Sequence, residues 1–214
     1  MKNVDFYEFV ALVIPGSVFL VGFGYLFDTR QFHDLLAPQT FGNLSIHLLL
    51  AYVIGHLLQA IGNWIEAVYW RPWRGMPTDW PISRNGTSQS TRARSSLVKF
   101  CGYDKLDDAV DLDTWRGLVA QARSTIYAAG RSGRLQFFNG NYGMFRGLLA
   151  AEGTLAVLAL WAPVDRSRFY PLALLVIGLT GYRMHRFSVH YAREFYAVVA
   201  ELARATTTQG RTSA

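Results

Sequence analysis

Residues 44–65 read LSIHLLLAYVIGHLLQAIGNWI, a stretch with no Asp, Glu, Lys or Arg. The hydrocarbon core of a bilayer takes about 20 apolar residues at 1.5 Å each, so this segment is long enough to cross one as a helix. Upstream, Phe9 to Phe27 (FVALVIPGSVFLVGFGYLF) is equally free of charge. Downstream, Gly147 to Pro163 is apolar except for Glu152, and Phe169 to Tyr182 is a shorter run that Arg183 extends by snorkelling. The brief Val164 to Arg168 connection hairpins the last two runs together.

These runs predict an all-α, polytopic membrane protein with about four transmembrane helices and a helical, basic cytoplasmic portion. The expected division is a first transmembrane pair in residues 1–70, a basic cytoplasmic insert in 71–142, a second pair in 143–182, and a cytoplasmic amphipathic helix in 183–214 with disorder after Ala205. A cleaved signal peptide fits the first run poorly. Asp5 and Glu8 follow Lys2, and no small-residue cleavage site precedes Asp28 and Arg30.

Composition agrees with this reading. Charged residues make up 17% of the chain, against about 25% in soluble domains, so charge is scarce and unevenly spread. The two connections expected outside, 28–43 and 164–168, hold only Arg30, Arg166 and Arg168 among Lys and Arg. Arg71, Arg74, Arg131 and Arg134 lie near helix ends on the other side, which puts both termini and the long loop inside. The net charge of +6 therefore describes a basic cytoplasmic face suited to anionic membrane lipids, a nucleotide or nucleic acid, or an acidic partner. The single cysteine, Cys101, excludes an intramolecular disulfide and a thiol metal cluster.

In the cytoplasmic portion, Arg71 to Arg94 holds prolines and small polar residues and reads as a loop, opened by Trp70, Arg71, Trp73 and Arg74 as an interfacial belt. The Asn85-Gly86-Thr87 sequon is meaningless in the cytoplasm. The acidic residues Asp104, Asp107, Asp108, Asp111 and Asp113 lack the glycine and glutamate of a calcium loop and read as a solvated helix start, with Asp113 capping Thr114 to Ala129. Within that helix Trp115, Leu118, Ala122 and Ile126 form an apolar stripe, and Arg116 and Arg123 lie on another side.

Arg131, Arg134, Phe138, Tyr142 and Arg146 interleave cations with aromatics ahead of the third run, and Arg183, Arg186, His190 and Arg193 line a basic face of the C-terminal helix. Both sets can bind an anionic ligand or lipid headgroups. The opposite face of the C-terminal helix is apolar, with Phe187, Tyr191, Phe195, Val198 and Leu202.

In the second run His56, Gln59, Asn63 and Glu66 follow offsets of three, four and three and share a side of the helix. Facing lipid they are costly, so they face other helices, a second subunit or water. Gly55 and Gly62 flank them and permit close helix approach. Glu152 lies at a comparable depth and is expected to pair with this stripe, either as a packing network or as a polar conduit that favours cations. No metal motif, phosphate loop, nucleophile elbow or cofactor site is present, and the Pro15-Gly16-Ser17 triplet reads as a helix kink.

The layout of four short membrane helices, an intramembrane polar stripe, a basic insert and the FFNGNYGMFRG segment at 137–147 resembles small bacterial membrane effectors of anti-phage defence, among them the membrane channel of the Hailong system. That resemblance implies a homo-oligomeric channel in the bacterial inner membrane whose opening dissipates the membrane potential. It also implies a cytoplasmic side that binds a short DNA or nucleotide signal, or the nucleotidyltransferase that makes it. Two other roles stay open: a membrane anchor or assembly subunit for a cytoplasmic partner, and a lipid-modifying enzyme with His56 and Glu152 as acid and base. The enzyme lacks a nucleophile or metal set, so a non-enzymatic role is expected.

Overall fold

The computed structural model describes residues 6–27, 41–83, 88–103 and 111–212. Lys2, Asp5, Asp28, Arg30, the Asn85-Gly86-Thr87 sequon and Asp104, Asp107 and Asp108 lie outside the described residues. Every regular element described is a helix: α1 (Phe6–Phe27), α2 (Phe41–Tyr69), α3 (Trp80–Ser83), α4 (Ser88–Phe100), α5 (Leu112–Ala128), α6 (Gly133–Leu158) and α7 (Arg166–Thr212). The chain divides into two compact units, one drawn from Met1–Val68 and Asn139–Phe187, the other from Tyr69–Phe138 and Ser188–Ala214.

Among the described residues two helices, over Phe9–Phe27 and Phe41–Tyr69, are long and apolar enough to cross a membrane. The third and fourth runs do not form separate helices of that kind. The third is the C-terminal part of α6, which begins at Gly133 and ends at Leu158, short of Pro163. The fourth is the N-terminal part of the 47-residue α7. Arg146 and Glu152 dilute the apolarity of α6, and Arg166, Arg168, Arg183 and Arg186 bracket that of α7.

In the first unit, α1 and α2 meet through small residues. A Cβ on Gly16 would lie 1.8 Å from the Ala51 carbonyl oxygen, and one on Gly55 would lie 2.2 Å from that of Leu12, so only glycine allows the two backbones to approach this closely. Pro15 sits inside α1 and is fully buried. Leu58 of α2 packs on Ala150 and Ala151 of α6, where the same economy of side-chain volume applies. At the far end, Leu26 and Phe27 pack with Ala159, Ala162, Val164 and Phe169. The C-terminus of α1 thus meets the α6–α7 turn, so α1 runs parallel to α6 and antiparallel to α7, as in an up-down bundle.

The second unit has a core of Leu97, Trp115, Leu118, Ala122, Ile126, Leu135, Phe195 and Val199. The apolar stripe expected on α5 is therefore buried with Tyr191 and Phe195 of the stripe expected on α7, with Val198 and Leu202 half-buried against it and Phe187 outside it. Thr78 fastens the loop to this core, because its carbonyl accepts from Trp115 Nε1 (2.9 Å) and from the Tyr196 hydroxyl (2.6 Å). Burial pushes the Tyr196 phenol up in pKa, and the neighbouring Asp79 acts in the same direction.

Three local expectations are corrected here. The 71–94 segment is not all loop: α3 forms at Trp80, and Ser88 to Arg94 belong to α4, which is held in place by burial of Leu97 and Val98. Asp111, not Asp113, is the N-cap of α5, since its carboxylate accepts from Thr114 N at 2.6 Å and Asp113 falls within the first turn. These hydrogen bonds hold the Asp111 carboxyl below its usual pKa. The backbone beyond Ala205 stays helical to Thr212 rather than becoming disordered, although this stretch includes a run of threonines and Gly210, all weak helix formers.

Candidate functional site

The four polar residues of α2 separate into two pairs. Residues seven apart on a helix return to within about 20° of each other, whereas a step of three places them about 60° away. His56 and Asn63 therefore share one line and Gln59 and Glu66 another. In the structure the first pair is exposed and the second is half-buried.

Gln59 and Glu66 turn toward α6, where their partner is Arg146 rather than Glu152. Gln59 Oε1 accepts from Arg146 Nη2 at 2.8 Å and from Nε at 3.2 Å, and Arg146 Nη1 donates to Glu66. The Gln59 amide nitrogen donates to the carbonyls of Ala11 (3.1 Å) and Gly143 (2.9 Å), so one side chain ties α1, α2 and α6 together. Gly147 makes room for this cluster, since a Cβ there would lie 2.8 Å from Pro15 Cγ and 3.0 Å from Gln59 Nε2. Sequence reasoning assigned Arg146 to anionic ligands; the structure instead neutralises it against Glu66.

Beside this cluster lies a cavity of about 340 Å³ whose lining includes Phe9, Tyr52, His56, Gln59, Asn139 and Arg146. Tyr52 meets the His56 imidazole edge-on at 4.7 Å and stacks near Phe9 at 6.4 Å, which gives the cavity an aromatic wall opposite a polar one.

Glu152 is held elsewhere. Its Oε1 accepts from Thr180 Oγ1 of α7 at 2.9 Å, and it lines a separate, apolar cavity of about 200 Å³ with Tyr25, Leu155, Phe169 and Leu172. The expected pairing of Glu152 with the α2 stripe does not occur, because the α6 residue that reaches the stripe lies six positions earlier, at Arg146. His56 and Glu152 line different cavities, and this removes the geometric basis for an acid–base pair.

The basic residues are also sorted by their partners. Arg131 pairs with Glu201 at 2.6 Å and Arg134 with Glu194 at 3.5 Å. Phe138 stacks on His190 with centroids 5.8 Å apart, Tyr142 is buried, and Arg193 is exposed. Arg183 lies over the rings of Phe145 and Phe187, and Arg186 Nη1 donates to the Tyr182 hydroxyl at 3.4 Å.

Sequence reasoning missed Thr180, Thr78 and Asp79. Asp79 is buried and pairs with Arg116 at 3.2 Å, and a lone acid between two prolines was the one signal that could have marked it. Among the described residues no three His, Cys, Asp or Glu side chains come together as a metal-holding group. No protein-family model, curated protein or solved structure matches the chain.

Proposed function

We propose that this chain is a multi-pass protein of the bacterial inner membrane that crosses it four times, through α1, α2 and the parts of α6 and α7 in the first unit, with both termini and the second unit cytoplasmic. In this reading it assembles as a homo-oligomer and acts, without catalysis, as a membrane effector or ion channel of anti-phage defence. Its cytoplasmic side receives a nucleotide or oligonucleotide signal, or the nucleotidyltransferase that makes one.

The observation that carries this proposal is His56, a polar side chain left exposed midway along a membrane-length helix. Phe41 and Trp64 are 88% and 80% exposed and about 35 Å apart along α2, the separation expected of aromatic belts on a bilayer core of about 30 Å. His56 then lies about 12 Å inside the Trp64 belt, with Asn63 at the rim and the small Ala60 between them. A polar group at that depth is costly against lipid and favourable against water or a neighbouring copy. The completed Gln59–Arg146–Glu66 cluster supports a packing role for those three residues, which leaves the His56–Asn63 line as the conduit side.

The test is ion flux from proteoliposomes together with particle mass in nanodiscs. His56→Ala and Asn63→Ala are expected to change flux while the oligomer persists. A monomeric particle with no flux under any cytoplasmic ligand would overturn the proposal.

A further inference from the structure

On α7, Leu172, Leu175, Leu179, Arg183 and Arg186 follow at spacings of three and four, so they form one column along the helix. The three leucines are 62%, 59% and 57% exposed, and both arginines are exposed. An apolar strip thus ends abruptly in two cations. From Leu172 to Arg183 it measures about 16 Å, comparable to much of a phospholipid acyl chain. We propose that this column binds one anionic phospholipid, with an acyl chain along the leucines and the phosphodiester on Arg183 and Arg186. The inference rests on the membrane reading above and adds a specific partner to it.

The geometry at Arg183 fits a phosphate. Its Cζ lies 5.5 Å from the Phe145 centroid and 5.0 Å from that of Phe187, and those rings stack 5.4 Å apart at 16°. Ring contact takes up the face of the guanidinium and leaves its N–H edge, the side that makes paired hydrogen bonds to phosphate oxygens. Among the described residues Arg183 forms no ion pair, in contrast to Arg146 on α6, which is neutralised by Glu66. Tyr182, 58% exposed and bonded to Arg186, adds a hydroxyl at the same level. An oligonucleotide would satisfy the arginines but not the leucines, and a second protein copy would satisfy the leucines but bring no phosphate. A lipid satisfies both.

The experiment is native mass spectrometry of the full chain in mild detergent, titrated separately with phosphatidylglycerol and phosphatidylcholine. Wild type is expected to take up phosphatidylglycerol about thirtyfold more tightly, given the contribution of two basic residues near a headgroup. The double variant Arg183→Gln, Arg186→Gln is expected to bind both lipids alike, and Arg193→Gln to keep the preference. Equal binding of the two lipids by wild type, an unchanged preference in the double variant, or displacement of phosphatidylglycerol by a short oligonucleotide would each overturn the proposal. Those results in a protein that leaves membranes only with detergent would spare the membrane reading; release by a carbonate wash would end both.

Discussion

Replacing Arg146 with leucine tests whether the polar cluster of the first unit holds its helices together. Removing the guanidinium leaves Glu66 without its counter-ion and Gln59 Oε1 without its two donors. Breaking a buried ion pair costs about 3–5 kcal/mol, and orphaning a buried acceptor about 1–3 kcal/mol. Water offsets part of this, because the two charged side chains are 21% and 19% exposed. A loss of about 3 kcal/mol is expected for Arg146→Leu and about the same for Glu66→Leu. The double replacement removes both charges together and is expected to cost about 2 kcal/mol, well below the sum of the single losses, which makes the coupling about 4 kcal/mol. Denaturant unfolding in mixed micelles, followed by circular dichroism, measures all three. Single losses that simply add in the double variant would refute the assignment of Arg146 as the partner of Glu66.

Other expectations are more local. Gly16→Val would drive a side chain into the Ala51 carbonyl and separate α1 from α2, so a loss of more than about 2 kcal/mol, or of monodisperse protein altogether, is expected. Trp115→Phe removes the Nε1 bond to Thr78 and opens a void in a fully buried site, at a cost of about 2 kcal/mol in thermal unfolding of the second unit. Asp111 has a lowered carboxyl pKa, so its contribution to the start of α5 is present above the unfolded value near about 4 and is lost as pH falls through the lower folded value. Protection of the Thr114 amide from hydrogen exchange should drop over that acidic window in wild type and be absent throughout in Asp111→Ala.

The apolar runs over Phe9–Phe27 and Leu44–Ile65 were legible because length and lack of charge are properties of the sequence itself, and both lie in helices. The stripe of Trp115, Leu118, Ala122 and Ile126 was legible for a similar reason, since helical periodicity marks a buried face before its partner is known. The partners were not legible. Nothing local distinguishes Arg146 from Arg131 or Arg134 as the residue that neutralises Glu66, because the pairing depends on how α6 is rotated against α2. The same holds for Glu152, whose hydroxyl partner, Thr180, sits in an apolar run that reads only as lipid-facing. The choice of Asp111 over Asp113 as cap turned on backbone geometry two residues apart, finer than periodicity resolves. At the α1–α2 crossing Gly55, by contrast, did announce close approach, whereas Gly16 read only as part of a kink.

The claim that α2 presents its His56–Asn63 line to a neighbouring copy is tested most directly by cysteine cross-linking in native membranes. The single native thiol, Cys101, would be changed to serine and a new one placed by Ala60→Cys, midway along that line. Under mild oxidation the Ala60→Cys protein is expected to form covalent dimers, whereas Leu175→Cys, on the column assigned to lipid, is expected to stay monomeric. An Ala60→Cys protein that remains monomeric under conditions that fully oxidise accessible thiols would contradict the account.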